Sequence, residues 1–426
     1  MRKEIVTIIA LLITFTSFSQ DIEYVRDIIA KLASPGFHGR GYVAKGDKIA
    51  AEYLSEEAEN IDLEKFGESW FQKFSMSVNT FPTHMQVAIN EKELKPGIDY
   101  LVNAGSNSIR GNFKIAWINK KVVEYKDALN NMLSNDLSDY FIAIDTTGIK
   151  DKMITDFIKF IIKENPARAR GIIEVVQGNL VYRPSLIRKD FPLIQIVKGI
   201  LEPENEEEIT VRIKSRFRRK HKTQNVIGYI PGKVDTFFVF TAHYDHIGRM
   251  GKETYFPGAH DNASGSAMIM DLAKYYKSIS EKPYYSIAFI WFAAEEAGLI
   301  GSKYYCEHPV FPLSKIKSLW NLDMMGNGED GIKVVNGSVF KREFDILKEI
   351  NKEKEYVKKV GIRGAAANSD HYYFSEKGVH SFFIYTLGKY KEYHNIYDKA
   401  EGLPLADYDD IFNLLTDFLK REGLYK

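Results

Sequence analysis

Phe237-Phe238-Val239-Phe240-Thr241-Ala242-His243-Tyr244-Asp245-His246 decides the fold of this chain. The stretch opens as an apolar run of aromatic and β-branched residues, the composition of a buried strand. It closes on His243 and Asp245, two positions apart, whose side chains leave the same face of extended backbone. A metal-ligating imidazole usually donates its other N–H to a carboxylate. His-x-Asp at a strand end therefore offers a ligand and its orienting partner. After a loop the chain reads Gly258-Ala259-His260-Asp261-Asn262-Ala263-Ser264-Gly265. An apolar helical pattern follows from Ala267 to Tyr276, with Asn262 or Ser264 placed to cap it.

Three more apolar runs end the same way. Ser286 to Ala294 runs into Glu295-Glu296, Leu319 to Leu322 into Asp323, and Ser381 to Tyr385 is followed shortly by Tyr393-His394. Ligand sites of open α/β sheets lie beyond the carboxyl ends of the strands. One acid after one strand is an ordinary solvated loop residue; four ordered coincidences are a site. His243, Asp261, Glu296, Asp323 and His394 form a set of nitrogen and oxygen ligands. One bridging carboxylate, with one His and one further carboxylate per ion, gives each of two metals three protein ligands and leaves room for water. That is the catalytic zinc arrangement, whereas structural zinc sites are closed and usually contain Cys. Glu295, beside Glu296, is placed to take a proton from the water and hand it to a leaving amine.

The 426 residues carry 58 Lys and Arg against 57 Asp and Glu, so global charge makes no case for nucleic acid or an anionic membrane. The chain begins with a basic start and an apolar core from Ile5 to Phe18, read as a cleaved secretory signal over residues 1–19 and placing the protein outside the cytoplasm. That run is short for a bilayer span, and no stable membrane anchor is expected. The single cysteine, Cys306, excludes an intrachain disulfide and reads as a small buried hydrophobe. Ile22, Val25, Ile28, Ile29 and Leu32 give a helical stripe. The loop Phe37-His38-Gly39-Arg40-Gly41 follows, with His38 and Arg40 either touching substrate or holding the N-terminal helices to the core. From 79 to 222 short β-like runs alternate with turns and at least one helix, near Ile154 to Ile162, which we read as an inserted β-rich domain. It closes on the basic run Lys214 to Lys222, read as a solvated face. Strands and helices then alternate to a last amphipathic helix from Tyr408 to Arg421.

The order His243-x-Asp245, Gly-x-x-Asp261-x-x-Ser-Gly, Glu295-Glu296-x-Gly-Leu-x-Gly-Ser, Asn-x-Asp323 and Tyr393-His394 resembles the M28 family of co-catalytic zinc peptidases. The resemblance implies an α/β fold with a mixed central sheet flanked by helices, formed by residues 20–78 and 223–426. It likens the 79–222 insert to a protease-associated domain. It implies two zinc ions, one on His243 and Asp323, the other on Glu296 and His394, bridged by Asp261. Asp245 then orients His243, and Glu295 is the catalytic carboxylate of an aminopeptidase acting on peptides. His260 departs from the residues usual before the bridging aspartate and is not counted as a ligand. Ser369-Asp370-His371 also resembles a family feature near the site. His246 and His371 read as polar loop residues, and His84, His221, His308 and His380 have no partner pattern. Glutaminyl cyclase, a single-zinc transferase of similar fold, a carboxypeptidase using Arg363 or the insert to meet a substrate carboxylate, and a non-catalytic binding module are the competing readings.

Overall fold

Two eight-stranded sheets organise the chain. The computed structural model describes residues 20–202 and 207–425, so the signal segment read over 1–19 lies outside the described residues. The strands of the first sheet are β1 (Phe71–Thr80), β2 (Arg216–Ile230), β3 (Val234–His243), β4 (Tyr285–Phe292), β5 (Ile316–Leu322), β6 (Gly331–Val335), β7 (Val360–Ile362) and β8 (Ser381–Leu387). Their spatial order is β1-β2-β4-β3-β5-β8-β6-β7. The central four, β4, β3, β5 and β8, run parallel; β1 and β2 pair antiparallel with their neighbours, and β6 is antiparallel to β8 and parallel to β7. Four parallel strands side by side bring four carboxyl ends to one edge.

Strand β3 shows why the sheet is buried on both faces. Phe238, Phe240 and Ala242 point into one apolar cluster, and Phe237 and Val239 point into another. This two-residue alternation sends a continuous apolar run to both faces. The first cluster is covered by α1 (Ile22–Leu32), α2 (Gly46–Asn60), α3 (Ser264–Ser278), α5 (Lys341–Lys354) and α7 (Tyr408–Arg421). The second is covered by α4 (Ile300–Glu307) and α6 (His371–Glu376), and Cys306 lies in it as a buried apolar group. Among the described residues, no helix is long and apolar enough to cross a membrane.

The second sheet is built from strands between 86 and 213. Ile109–Ile118, Tyr140–Ile144, Gly171–Val176 and Leu193–Val197 are parallel there. Helices Lys120–Glu124, Lys126–Ser134 and Lys152–Glu164 lie in the crossovers. The β-rich expectation is thereby refined, since this unit is itself α/β. The short helices from 120 to 134 carry a weak apolar pattern, and only Lys152–Glu164 announces itself in sequence. The basic run from Lys214 to Lys222 falls largely within β2, whose outer half pairs with β1 from Thr80↔Arg216 to Phe71↔Val226. Its exposed cations alternate with inward residues, among them His221, buried 2.7 Å from Asp47.

Asp271 on α3 is a buried liability in this packing. Its Oδ1 accepts from the Asp21 N–H at 3.4 Å and its Oδ2 has no partner. Burial pushes its carboxyl up to about 7. The folded chain keeps this proton after the unfolded chain, titrating near ~3.9, has lost it, so stability falls as pH rises from about 4 through 7. Asp271→Asn is expected to stabilise the protein by about 1–3 kcal/mol at pH 8. At pH 4 its effect should be small. Thermal unfolding at the two pH values checks this; equal shifts at both would contradict it.

Candidate metal centre

Each central strand delivers one part of the site. His243 ends β3, Glu295 and Glu296 follow β4, Asp323 follows β5, and His394 comes from the loop after β8. Asp261 lies in the turn that leads into α3. The backbone turns sharply at these exits. Ala294, Met324 and His394 have φ of 60°, 53° and 52°, in the left-handed region that non-glycine residues occupy at a cost. The helix joins the strand closely: a Cβ on Gly265 would lie 2.4 Å from the Leu322 carbonyl oxygen, which is why glycine stands there. Asn262 reinforces the join. Its Nδ2 donates to Leu322 O, while its Oδ1 accepts from Gly265 N–H at 2.9 Å and Met324 N–H at 3.2 Å. Asn262 rather than Ser264 therefore meets the start of the helix; Ser264 Oγ donates to His260 O. The Asp261–Asn262 peptide is cis with His260 in place.

The predicted ligands converge. His243 Nε2 lies 3.3 Å from Asp261 Oδ1 and 3.4 Å from Asp323 Oδ1. His394 Nε2 lies 2.9 Å from Asp261 Oδ2 and 3.0 Å from Glu296 Oε2. The two oxygens of Asp261 thus face two different His–carboxylate pairs. Donors about 2.0–2.1 Å from a tetrahedral zinc stand ~3.3 Å from each other, close to these separations. Both His394 Nε2 and Asp323 Oδ1 are buried, and their close approaches to these neighbours lack hydrogen-bond geometry. Donor type and spacing fit bound zinc.

The electrostatics make the same demand. Burial alone would discharge the histidines, yet the surrounding carboxylates outweigh it. They hold His394 up to about 11 and push His243 well above the usual imidazole range. Burial would also raise Glu296, but the His394 and His246 rings hold it down to about 2. The acids thus favour positive charge at the ring nitrogens that face them. Glu295 differs: burial, with the Asp370, Glu296 and Asp323 carboxylates, drives it well above the usual carboxylate range. Its Oε2 stays 4.0 Å from His243 Nε2.

Asp245 acts on His243 through a different atom from the one its sequence position suggests. The His243 Nδ1–H donates to the Asp245 main-chain carbonyl at 3.1 Å, while the Asp245 carboxylate oxygen is 3.8 Å away. That carboxylate instead accepts from Tyr42 Oη at 2.9 Å and from the Glu295 N–H at 3.1 Å. It fixes the backbone of the candidate base. A polar relay supports Asp323: Thr241 Oγ1 donates to Asn321, Asn321 Nδ2 to Ser369, and Ser369 Oγ to Asp323 Oδ2 at 3.2 Å. The Ser369-Asp370-His371 segment is buried beneath the site.

Several supports were not legible in the sequence. His246, read as a loop residue, is fully buried, and its Nδ1–H donates to Glu296 Oε1 at 2.8 Å. Asp398 accepts from the main-chain N–H groups of His260 and Asp261 at 2.8 and 3.1 Å. Arg40 settles the question left open for its loop. It is 0% exposed and donates to the carbonyls of Leu32, Tyr244, Pro257, Gly258 and Asp261, so it holds structure instead of meeting substrate. His38 Nδ1 meets Arg249 at 2.9 Å. His260 is turned away from the acids, accepting from Gly326 N–H through Nδ1 at 3.3 Å. His84 and His380 pair with Glu253 and Glu343.

The site opens into a cavity of about 320 Å³ whose further walls are Met324, Arg363, Asn368, Phe383, Tyr385 and Tyr393. Arg363 Nη1 lies 3.4 Å from Tyr385 Oη.

Residues 225–419 match the family model described as Peptidase family M28. It is 30% identical over 226 residues to "Aminopeptidase YwaD" of Bacillus subtilis (strain 168), covering 50% of this chain and 47% of that one. It is also 30% identical over 175 residues to "Probable leucine aminopeptidase" of Arthroderma otae, covering 40% and 48%. The chain thus spans about half the length of these curated relatives. Its fold is that of BSAP, a zinc aminopeptidase from Bacillus subtilis, with a TM-score of 0.68 at 19% identity over 95% of this chain and 96% of that one. The aminopeptidase from Aneurinibacillus sp. strain AM-1 superposes with a TM-score of 0.61 at 18% identity over 94% of both chains.

Arg40→Met is expected to cost roughly 3 kcal/mol or more, since it strips one charged donor from five buried carbonyls. Urea unfolding of variant and wild type measures it; a loss below about 1 kcal/mol would return Arg40 to the surface-loop role.

Proposed function

We propose that the chain is a two-zinc aminopeptidase that removes N-terminal residues from peptides. The observation that carries this reading is the placement of Asp261, with one oxygen 3.3 Å from His243 and the other 2.9 Å from His394. In this reading His243 and Asp323 would hold one ion, Glu296 and His394 the other, and Asp261 would be shared between them. Bound there, two zinc ions would supply Lewis-acid polarisation of the scissile carbonyl and lower the pKa of water. Glu295 accepts the proton of the attacking water and passes it to the leaving amine. Asp245 keeps Glu295 in place through its N–H, and Met324, Phe383, Tyr385 and Tyr393 offer an apolar and aromatic wall to the substrate side chain. The names borne by the relatives and the family of residues 225–419 support the same activity.

We further read residues 20–78 and 223–426 as the peptidase domain, with residues 79–222 as an inserted protease-associated-like domain. The start of the chain is read as a signal for export. One observation favours a second reading, a carboxypeptidase: Arg363 stands in the wall of the cavity, where a guanidinium is suited to a substrate carboxylate.

Zinc-loaded protein assayed against aminoacyl-amides, each free and N-acetylated, and against N-acetylated peptides with a free C-terminus separates the two. Cleavage confined to free amines supports the aminopeptidase; cleavage of acetylated peptides with a free C-terminus supports the carboxypeptidase. Glu295→Gln should lower kcat by about 10²–10⁴-fold with zinc still bound. A variant as active as the wild type would remove Glu295 from the mechanism. Chelation should abolish activity and added zinc restore it, with wild type titrating to two ions per chain.

A further inference from the structure

The two histidines facing the acids are oriented by different parts of the molecule. His243 is held from within its own strand end, by the Asp245 carbonyl. His394 is not. Its Nδ1–H donates to the main-chain carbonyl of Tyr182 at 3.0 Å, and the Tyr182 N–H donates back to the His394 carbonyl at 3.1 Å. Tyr182 belongs to the connection between Gly171–Val176 and Leu193–Val197, two strands of the second sheet. The contact joins residues 212 positions apart.

Tyr182 is itself fixed by packing. Its ring lies flat on Phe256, with centroids 4.9 Å apart and planes 3° apart, and it is only 5% exposed. Phe256, Ile247 and Met250 come from the loop between His246 and Gly258, and all three are buried in the apolar core of the second sheet. The loop joining two parts of the metal centre is thereby anchored in the second unit. From that unit the Tyr182 carbonyl reaches back to His394. A carbonyl on the distal ring nitrogen sets which nitrogen is free to ligate and where it points, and losing such a partner typically costs ~10–100-fold in metal affinity. His394 also sits at φ 52°, a conformation its surroundings must maintain.

We infer that Tyr182 is a positioning residue for the metal centre, its main chain holding the His394 ring so that the ion on His394 and Glu296 depends on the second sheet more than the ion on His243 and Asp323. The inference rests on the two-zinc reading and adds that the two ions are held with unequal dependence on the insert.

Tyr182→Ala removes the stack on Phe256 and frees the carbonyl to drift; Tyr182→Phe keeps the ring; Phe256→Ala attacks the same stack from the other side. Zinc affinity at each site is measured by competition with a chromophoric chelator, with thermal unfolding of the apo-protein as a check on folding. Tyr182→Ala and Phe256→Ala should each weaken one of the two ions by ~10-fold or more and leave the other near wild type. Tyr182→Phe should bind both like wild type. Unchanged affinities, or equal loss of both ions alongside a general loss of stability, would overturn the inference. If Tyr182→Ala does not fold, Phe256→Ala decides. A wild-type chain that binds only one ion would sink the two-zinc reading separately; Tyr182 then keeps its role only if Tyr182→Ala loosens that ion.

Discussion

Four carboxylates, those of Asp261, Glu295, Glu296 and Asp323, meet in a buried space at one edge of a sheet, and the rest of the structure answers to that fact. Two like charges 4 Å apart repel by about 4 kcal/mol even at an effective dielectric near 20. A protein stable by ~5–15 kcal/mol cannot leave several such pairs uncompensated. The compensation is cationic. His243 and His394 are pulled toward the charged state by these acids, and the Arg40 guanidinium lies against the carbonyls of Gly258 and Asp261. The buried nitrogen of His394 and oxygen of Asp323, whose close approaches lack hydrogen-bond geometry, show that side-chain pairing does not complete the compensation. A divalent metal held there would complete it with fewer protons.

The sheet and the loops divide the work of assembling these groups. Parallel strands β3, β4 and β5 set three of the contributions at adjacent ends, so their spacing follows from strand pairing about 4.7–4.9 Å apart. Asp261 and His394 have no such ruler. Asp261 is placed by hydrogen bonds to Asp398 and Arg40 and by the close seat of Gly265 against Leu322. His394 is placed by a strand-free loop and by a residue of the other sheet. The unit between residues 86 and 213 is therefore more than a decoration on the surface, because its core swallows the loop between His246 and Gly258.

What the sequence discloses and what it hides follow one rule. His243, Asp261, Glu295, Glu296, Asp323 and His394 are legible because each stands near a strong local signal, an apolar run or the start of a helix. The fold of residues 223–426 is legible for the same reason. Arg40, Asp398 and Tyr182 act across the chain. Arg40 reaches carbonyls 217 and 218 positions away, and Tyr182 meets His394 from 212 positions away. No periodicity or spacing records such contacts. His246 fails for a subtler reason: one more polar residue after His-x-Asp looks like the beginning of a loop, and only burial reveals that it holds Glu296. The second unit's helices were partly hidden because residues 120–134 carry too weak a stripe to separate a crossover from a turn.

Arg40 carries a consequence for how this protein can vary. All five of its acceptors are main-chain oxygens, and a carbonyl is present whatever side chain the residue bears. Leu32, Tyr244 and Pro257 are therefore free, as far as this contact goes, to drift over evolutionary time, while position 40 is not. Selection on the whole contact is concentrated in a single codon.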